Sequence, residues 1–95
     1  MNVKLSSFVA NDLEAISDYI SRHNPTRALT FVEELRIEIK GLAVNPFLYR
    51  LRPELRRDRR VLTFGQYLIV FRVVGDDVLV ERVLQGARSL GSIFS

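Results

Sequence analysis

Apolar positions along the chain follow two periods, and the change between them divides it into a helical half and a stranded half. Val9, Leu13, Ile16 and Ile20 recur at spacings of four, three and four. That is one stripe of an amphipathic helix, with Asp12, Glu14 and Asp18 on or near the wet side. Ser6 and Ser7 precede it as candidate N-caps, since a hydroxyl can accept from the unpaired amides of a first turn. Asn24-Pro25 stops this helix and starts another: asparagine caps well, and proline at the first helical position gives up no needed donor. Ala28, Val32, Leu35, Ile39 and Leu42 then mark a second stripe, which ends before Asn45-Pro46 because the residue preceding a proline leaves the helical region. Two long helices with a minimal connection predict an antiparallel αα-hairpin.

Beyond Pro46 the period becomes that of strands. Residues 61–64, 67–74 and 78–84 are rich in Val, Leu, Ile, Phe and Tyr. Gly65-Gln66 fits a two-residue turn and Gly75-Asp76-Asp77 marks a second. A short edge strand is expected at residues 3–5 (VKL). The predicted fold is α+β, in the order β-α-α-β-β-β, with the helical hairpin on one face of a small, mainly antiparallel sheet. One domain spans residues 1–95. If Gly65-Gln66 is the whole loop, Phe64 lies opposite Tyr67, Leu62 opposite Ile69 and Arg59 opposite Arg72. Alternation then sets Leu62, Phe64, Tyr67, Ile69, Phe71 and Val73 on one face. The other face carries Arg59, Val61, Thr63, Leu68, Val70, Arg72 and Val74. The hairpin can cover only one of them. The second is expected to be covered by an amphipathic, acidic partner, or by the tail folding back.

Charge sharpens this picture. Residues 1–40 hold five basic and six acidic side chains, residues 41–95 nine and five, and twelve of the fourteen basic residues are arginine. Arginine suits bidentate pairing with carboxylate or phosphate. Five arginines fall between Arg52 and Arg60, with Glu54 and Asp58 among them and no aromatic residue for base stacking. The cluster reads as a surface for an acidic protein, with nucleic-acid phosphate as the lesser contributor. The alternative is a solvated basic loop.

Catalytic candidates are few. The chain has no cysteine, which excludes a disulfide framework and cysteine-based catalysis or metal sites and suits a reducing cytoplasm. Neither a leader nor a membrane span is read from the sequence, so a mature cytoplasmic protein is expected. His23 is the lone histidine and reads as a solvated residue at the helix junction. Tyr67 reads as core, Tyr49 as part of a connection, and Glu81 as a structural ion-pair partner for Arg72. No metal, cofactor or phosphate loop is expected.

The segments ANDLEAISDYI (10–20), NPTRALTFVEEL (24–35) and RRVLTFGQYLIVFRVVGDDVLVERVLQGARSL (59–90) resemble, in order and spacing, the RelE/ParE toxins of bacterial type II toxin–antitoxin systems. The specific part is R-x-L-x-F-G-x-Y-x-I-x-F followed by R-V-L-x-G-A-R. The resemblance implies the fold just derived and one of two activities. RelE-like members cleave messenger RNA on the ribosome; ParE-like members are taken to poison DNA gyrase. Cleavage by a 2′-hydroxyl needs a proton acceptor, a proton donor and cations at the phosphate. Phe94 stands where the RelE branch has its C-terminal tyrosine, and Leu68 where it has a sheet arginine.

The resemblance therefore points to the ParE-like branch: a non-enzymatic toxin acting on gyrase, with or without its DNA, and held by a small acidic ParD-like antitoxin in a hetero-oligomer. The alternatives are a ribosome-dependent endoribonuclease and an inactive homologue that only binds its antitoxin. The expected binding surface is Arg56, Arg57, Arg59, Arg60, Arg72, Arg82 and Arg88 with Val61, Leu68 and Val70. A carboxylate-bearing segment is expected over the three apolar residues, and Leu68→Glu is expected to break the complex while sparing the fold.

Overall fold

The computed structural model describes residues 1–55 and 58–86. Strand β1 (Asn2–Leu5) leads into helices α1 (Val9–Ser21) and α2 (Pro25–Gly41). Single 3-10 turns at Pro46–Leu48 and Pro53–Leu55 then connect to β2 (Arg60–Phe64), β3 (Tyr67–Val74) and β4 (Asp77–Gln85). The sheet order is β1-β4-β3-β2, with β1 parallel to β4 and the other neighbours antiparallel. The expected β-α-α-β-β-β architecture is the observed one.

Local chemistry sets the elements. The Asn24 side chain accepts from the Arg27 amide at 3.0 Å, and Pro25 opens α2, as the Asn-Pro pair predicts. At α1 the serines act differently from the expectation. Ser6 Oγ accepts the amide of Phe8, which is itself the N-cap residue, and donates to the Glu81 carbonyl at 2.6 Å. It ties the helix entry to the sheet instead of capping the first turn.

Both hairpin turns begin with a glycine in the left-handed region, Gly65 at φ +60° and Gly75 at φ +61°. A Cβ at Gly65 would meet nothing nearer than the Phe31 ring at 3.9 Å. Gly65→Ala is therefore expected to cost only the backbone penalty, about 1 kcal/mol, read as a lower denaturant midpoint with unchanged slope.

The helical hairpin covers one sheet face. Val9, Leu13, Ile16, Leu35, Ile39 and Leu42 pack with Leu62, Tyr67, Ile69, Phe71, Val78, Val80 and Val83 in one buried cluster. Phe31, and not Val32, is the buried residue in that turn of α2. Its ring lies 5.5 Å from Phe64 and 5.3 Å from Tyr67, centroid to centroid, in tilted contacts that favour this choice over the β-branched neighbour.

The register of β2 on β3 is the expected one, Phe64 with Tyr67 and Leu62 with Ile69. That of β3 on β4 shifts between Val70 and Phe71: Val70 faces Arg82 while Phe71 faces Val80. Glu81 is thus an extra residue, a bulge that lets Val80 and Val83 point to the same core despite their odd spacing.

Candidate functional site

The far face of the sheet is where the sequence placed a partner surface, and its arginines are arranged around two carboxylates. Arg59 meets Glu81 through two bonds, Nε to Oε1 at 2.6 Å and Nη2 to Oε2 at 3.1 Å, and donates to the Leu55 carbonyl at 2.8 Å. Arg72 approaches the same carboxylate, with Nε 3.6 Å from Glu81 Oε2. That separation is too long for a hydrogen bond, and the buried Nε of Arg72 has no other partner among the described residues. Among the described residues, two guanidinium groups therefore share the Glu81 carboxylate. The paired register of β2 on β3 ends at Arg60 and Phe71, so Arg59 and Arg72 meet through Glu81, and the reading of Glu81 as an ion-pair residue holds.

Beneath this trio lies a second apolar cluster of Leu55, Leu68, Val70 and Leu84, with Val61 packed against it. Here one expectation is corrected. The face is not bare: Val70 is fully buried and Leu68 is 8% exposed. Leu55, in the turn between the arginines, packs in this cluster, and the Arg59 bond to its carbonyl holds that turn in place. Leu68→Glu would put a carboxylate into an apolar cluster, so it would disturb folding before it reported on binding. Val61 is half-buried and Thr63 exposed, so the accessible part of this face lies along β2.

The remaining arginines do not join one open surface. Arg60 sits on the helix side of β2, donating to the Tyr49 carbonyl at 2.5 Å with its guanidinium 5.1 Å above the Phe47 ring. It pins the 46–52 connection, and Tyr49 meets Phe71 edge-on at 5.8 Å. Arg82 turns to α1, where Nε and Nη2 reach the Asp12 carboxylate at 2.8 and 2.7 Å. Its guanidinium also lies 5.1 Å from the Phe8 ring centre. The Asp12 bond pushes the Arg82 pKa further up, so the cation is permanent. Arg56, Arg57 and Arg88 lie outside the described residues, as does Phe94.

Asp12 is a second correction. The sequence reading put it near the wet side of α1, yet it is only 9% exposed and also accepts the Val83 amide at 3.0 Å. Its position was legible: Asp12 stands three residues after Val9 and four before Ile16, on the buried stripe itself. Leu55 gave no comparable signal, because no period connects it to the strands it packs against.

The groups that could move a proton near the sheet are otherwise committed. Asp12 and Glu81 are each held by arginine, and His23 is exposed at the helix junction. Burial, with a smaller contribution from Tyr19, pushes the Tyr67 hydroxyl pKa up, so it stays protonated at neutral pH. Among the described residues no cluster of three His, Cys, Asp or Glu side chains is placed to hold a metal, and no helix is long and apolar enough to cross a membrane.

This arrangement can hold a partner through cations over an apolar floor. The sequence matches the family described as "ParE toxin of type II toxin-antitoxin system, parDE" over residues 3–90. No curated protein sequence matches the chain. Among solved structures, the chain is similar to one from the chromosomal ParDE toxin–antitoxin system of P. aeruginosa. The TM-score is 0.79 at 28% identity, over 90% of this chain and 96% of that one. The protein belongs to the ParE toxin family of type II toxin–antitoxin systems.

Proposed function

We propose that this toxin inhibits DNA gyrase and is neutralised by a small acidic antitoxin that docks on the far sheet face along β2. The family match over residues 3–90 carries the reading. The chemistry of the site supports it, since arginines bound to structural carboxylates can grip a partner but offer no obvious acid–base pair to transform one. The antitoxin supplies a carboxylate to the under-partnered Arg72, and apolar side chains to Val61 and the rim of the Leu68–Val70 cluster. The charge steers and orients, while apolar burial gives most of the affinity.

Gyrase is bound through the basic residues of the second half, with Arg56, Arg57 and Arg88 joining Arg59, Arg60, Arg72 and Arg82 in the proposed surface. Purified toxin titrated into a supercoiling assay on relaxed plasmid is expected to block supercoiling or trap cleaved DNA without RNA present. Adding antitoxin is expected to restore the reaction. No inhibition at large excess over gyrase overturns the target. Codon-positioned cuts in translated messages, lost with Arg88→Ala, would establish the ribonuclease activity instead. Antitoxin binding with neither effect would mark an inactive homologue. Val61→Glu is expected to weaken the antitoxin complex about tenfold or more while keeping the fold, as read by titration calorimetry and circular dichroism.

A further inference from the structure

Strand β1 ends the sheet with one edge open. The amides of Asn2 and Ser6 donate to the Asp76 and Val80 carbonyls beside β4, at 3.3 and 2.8 Å. In an extended strand, alternate residues turn their backbone groups to opposite edges. Val3 and Leu5 therefore present their N–H and C=O groups away from β4, on the side where the sheet has no further strand among the described residues.

Against this edge lies an apolar groove of about 230 Å³, lined by Val3, Leu5, Leu13 and Ile39 and rimmed by Arg36 and Lys40 of α2. Leu5 is 49% exposed, which is unusual for a leucine on a strand packed under a helix. Arg36 and Lys40 are exposed, and among the described residues their side chains make no ion pair or hydrogen bond. Other exposed cations do have carboxylate partners: Lys4 pairs with Asp77, Arg27 with Glu34, Arg52 with Glu54. Open backbone donors and acceptors, an apolar floor and two unpaired cations thus meet along one four-residue edge.

We infer that this edge takes an extended, acidic segment of the antitoxin as a fifth strand. The segment would pair its backbone with Val3 and Leu5. On its helix-facing side, residues two apart would set one apolar side chain against Leu5 and Ile39 and one carboxylate between Arg36 and Lys40. Charge selects this occupant. A second copy of the toxin would bring Lys4, the only charged residue of β1, and no carboxylate to the same edge. The source of the segment rests on the antitoxin reading, but the edge is separate from the β2 side of the far face. The antitoxin therefore grips the toxin at opposite margins of the sheet.

Hydrogen exchange of the purified toxin, alone and with its cognate antitoxin, tests this directly. The Val3 and Leu5 amides are expected to exchange freely in the toxin and at least about tenfold more slowly in the complex. Leu5→Pro removes one outward donor while sparing the bonds to β4, since an edge strand tolerates proline where its N–H faces solvent. The double variant Arg36→Glu/Lys40→Glu leaves the backbone untouched and is expected to weaken the complex about tenfold, with a reduced salt dependence. A complex that forms with both amides unprotected and with wild-type affinity in the double variant overturns the inference and leaves antitoxin neutralisation standing. Protection that appears in the toxin alone and grows with its concentration identifies a second copy as the occupant and also overturns it. Failure of the antitoxin to bind at all removes both readings.

Discussion

Asp12→Ala is expected to lower the stability of the free toxin by about 2–4 kcal/mol, the largest loss from any single polar substitution in the fold. The reason lies at the sheet edge. β1 pairs with β4 only as far as Leu5 and Val80. Past that point the outer edge of β4 has no strand beside it among the described residues, and its backbone groups need other partners. Ser6 supplies two of them, donating its amide to the Val80 carbonyl and its hydroxyl to the Glu81 carbonyl. Asp12 supplies the next by accepting the Val83 amide, and the same carboxylate neutralises Arg82. A helix residue thus does the work of a missing strand. Removing it leaves a buried amide unpaired and a largely buried cation without its counter-charge. For a domain of this size the loss corresponds to a melting temperature lower by roughly 10–20 °C.

Two further variants separate the parts. Asp12→Asn keeps an acceptor for Val83 and is expected to cost less than alanine. The double change Asp12→Ala/Arg82→Ala removes the stranded cation and is expected to be less damaging than the sum of its parts, with a coupling above about 1 kcal/mol. A loss below about 0.5 kcal/mol for Asp12→Ala would show that α1 packing alone holds the edge.

The contrast between Asp12 and the rest of α1 shows what the sequence can and cannot disclose. Val9, Leu13 and Ile16 were legible as a core stripe because burial of apolar side chains imposes the helical period directly. Turns were legible because Gly65 and Gly75 occupy left-handed positions that few other residues tolerate. The two strand faces followed from alternation once the Gly65-Gln66 loop fixed the register. Asp12 stands on the same stripe, but its partners are seventy residues away in sequence. A polar residue on an apolar stripe announces a buried pair without naming the other half.

The candidate site was legible as a composition of residues and not as an arrangement of them. Arg59 and Arg72 do come together, on the shared Glu81 carboxylate. Arg60 and Arg82 carry the same charge, yet alternation along β2 turns Arg60 to the helix side, and Arg82, set opposite Val70, reaches round to Asp12 of α1. Arg60 organises the 46–52 connection and Arg82 closes the β4 edge. The β1 groove is not legible in the sequence for a related reason. Its cations lie on α2 in a region of near-neutral charge, and only the fold brings Arg36 and Lys40 beside Leu5.

Glu81→Gln isolates the part of the site that the sequence did anticipate. The substitution keeps the shape of the side chain and removes the one charge that separates Arg59 from Arg72. Both arginines are largely buried, with side chains 15% and 26% exposed, so their repulsion is weakly screened. The expected loss is about 2–3 kcal/mol, seen as a lower denaturant midpoint. Its signature is a loss that added salt relieves only in small part, because charges this buried are weakly screened. Arg72→Leu in the same background should restore part of the loss, since it removes one of the opposing cations above an apolar floor. If the antitoxin brings a carboxylate to Arg72, the variant should also lose less stability in the complex than alone, the incoming group standing in for the missing one. Equal losses in the two states would separate the Arg59–Glu81–Arg72 trio from antitoxin binding and leave it a purely structural clasp over Leu55, Leu68 and Val70.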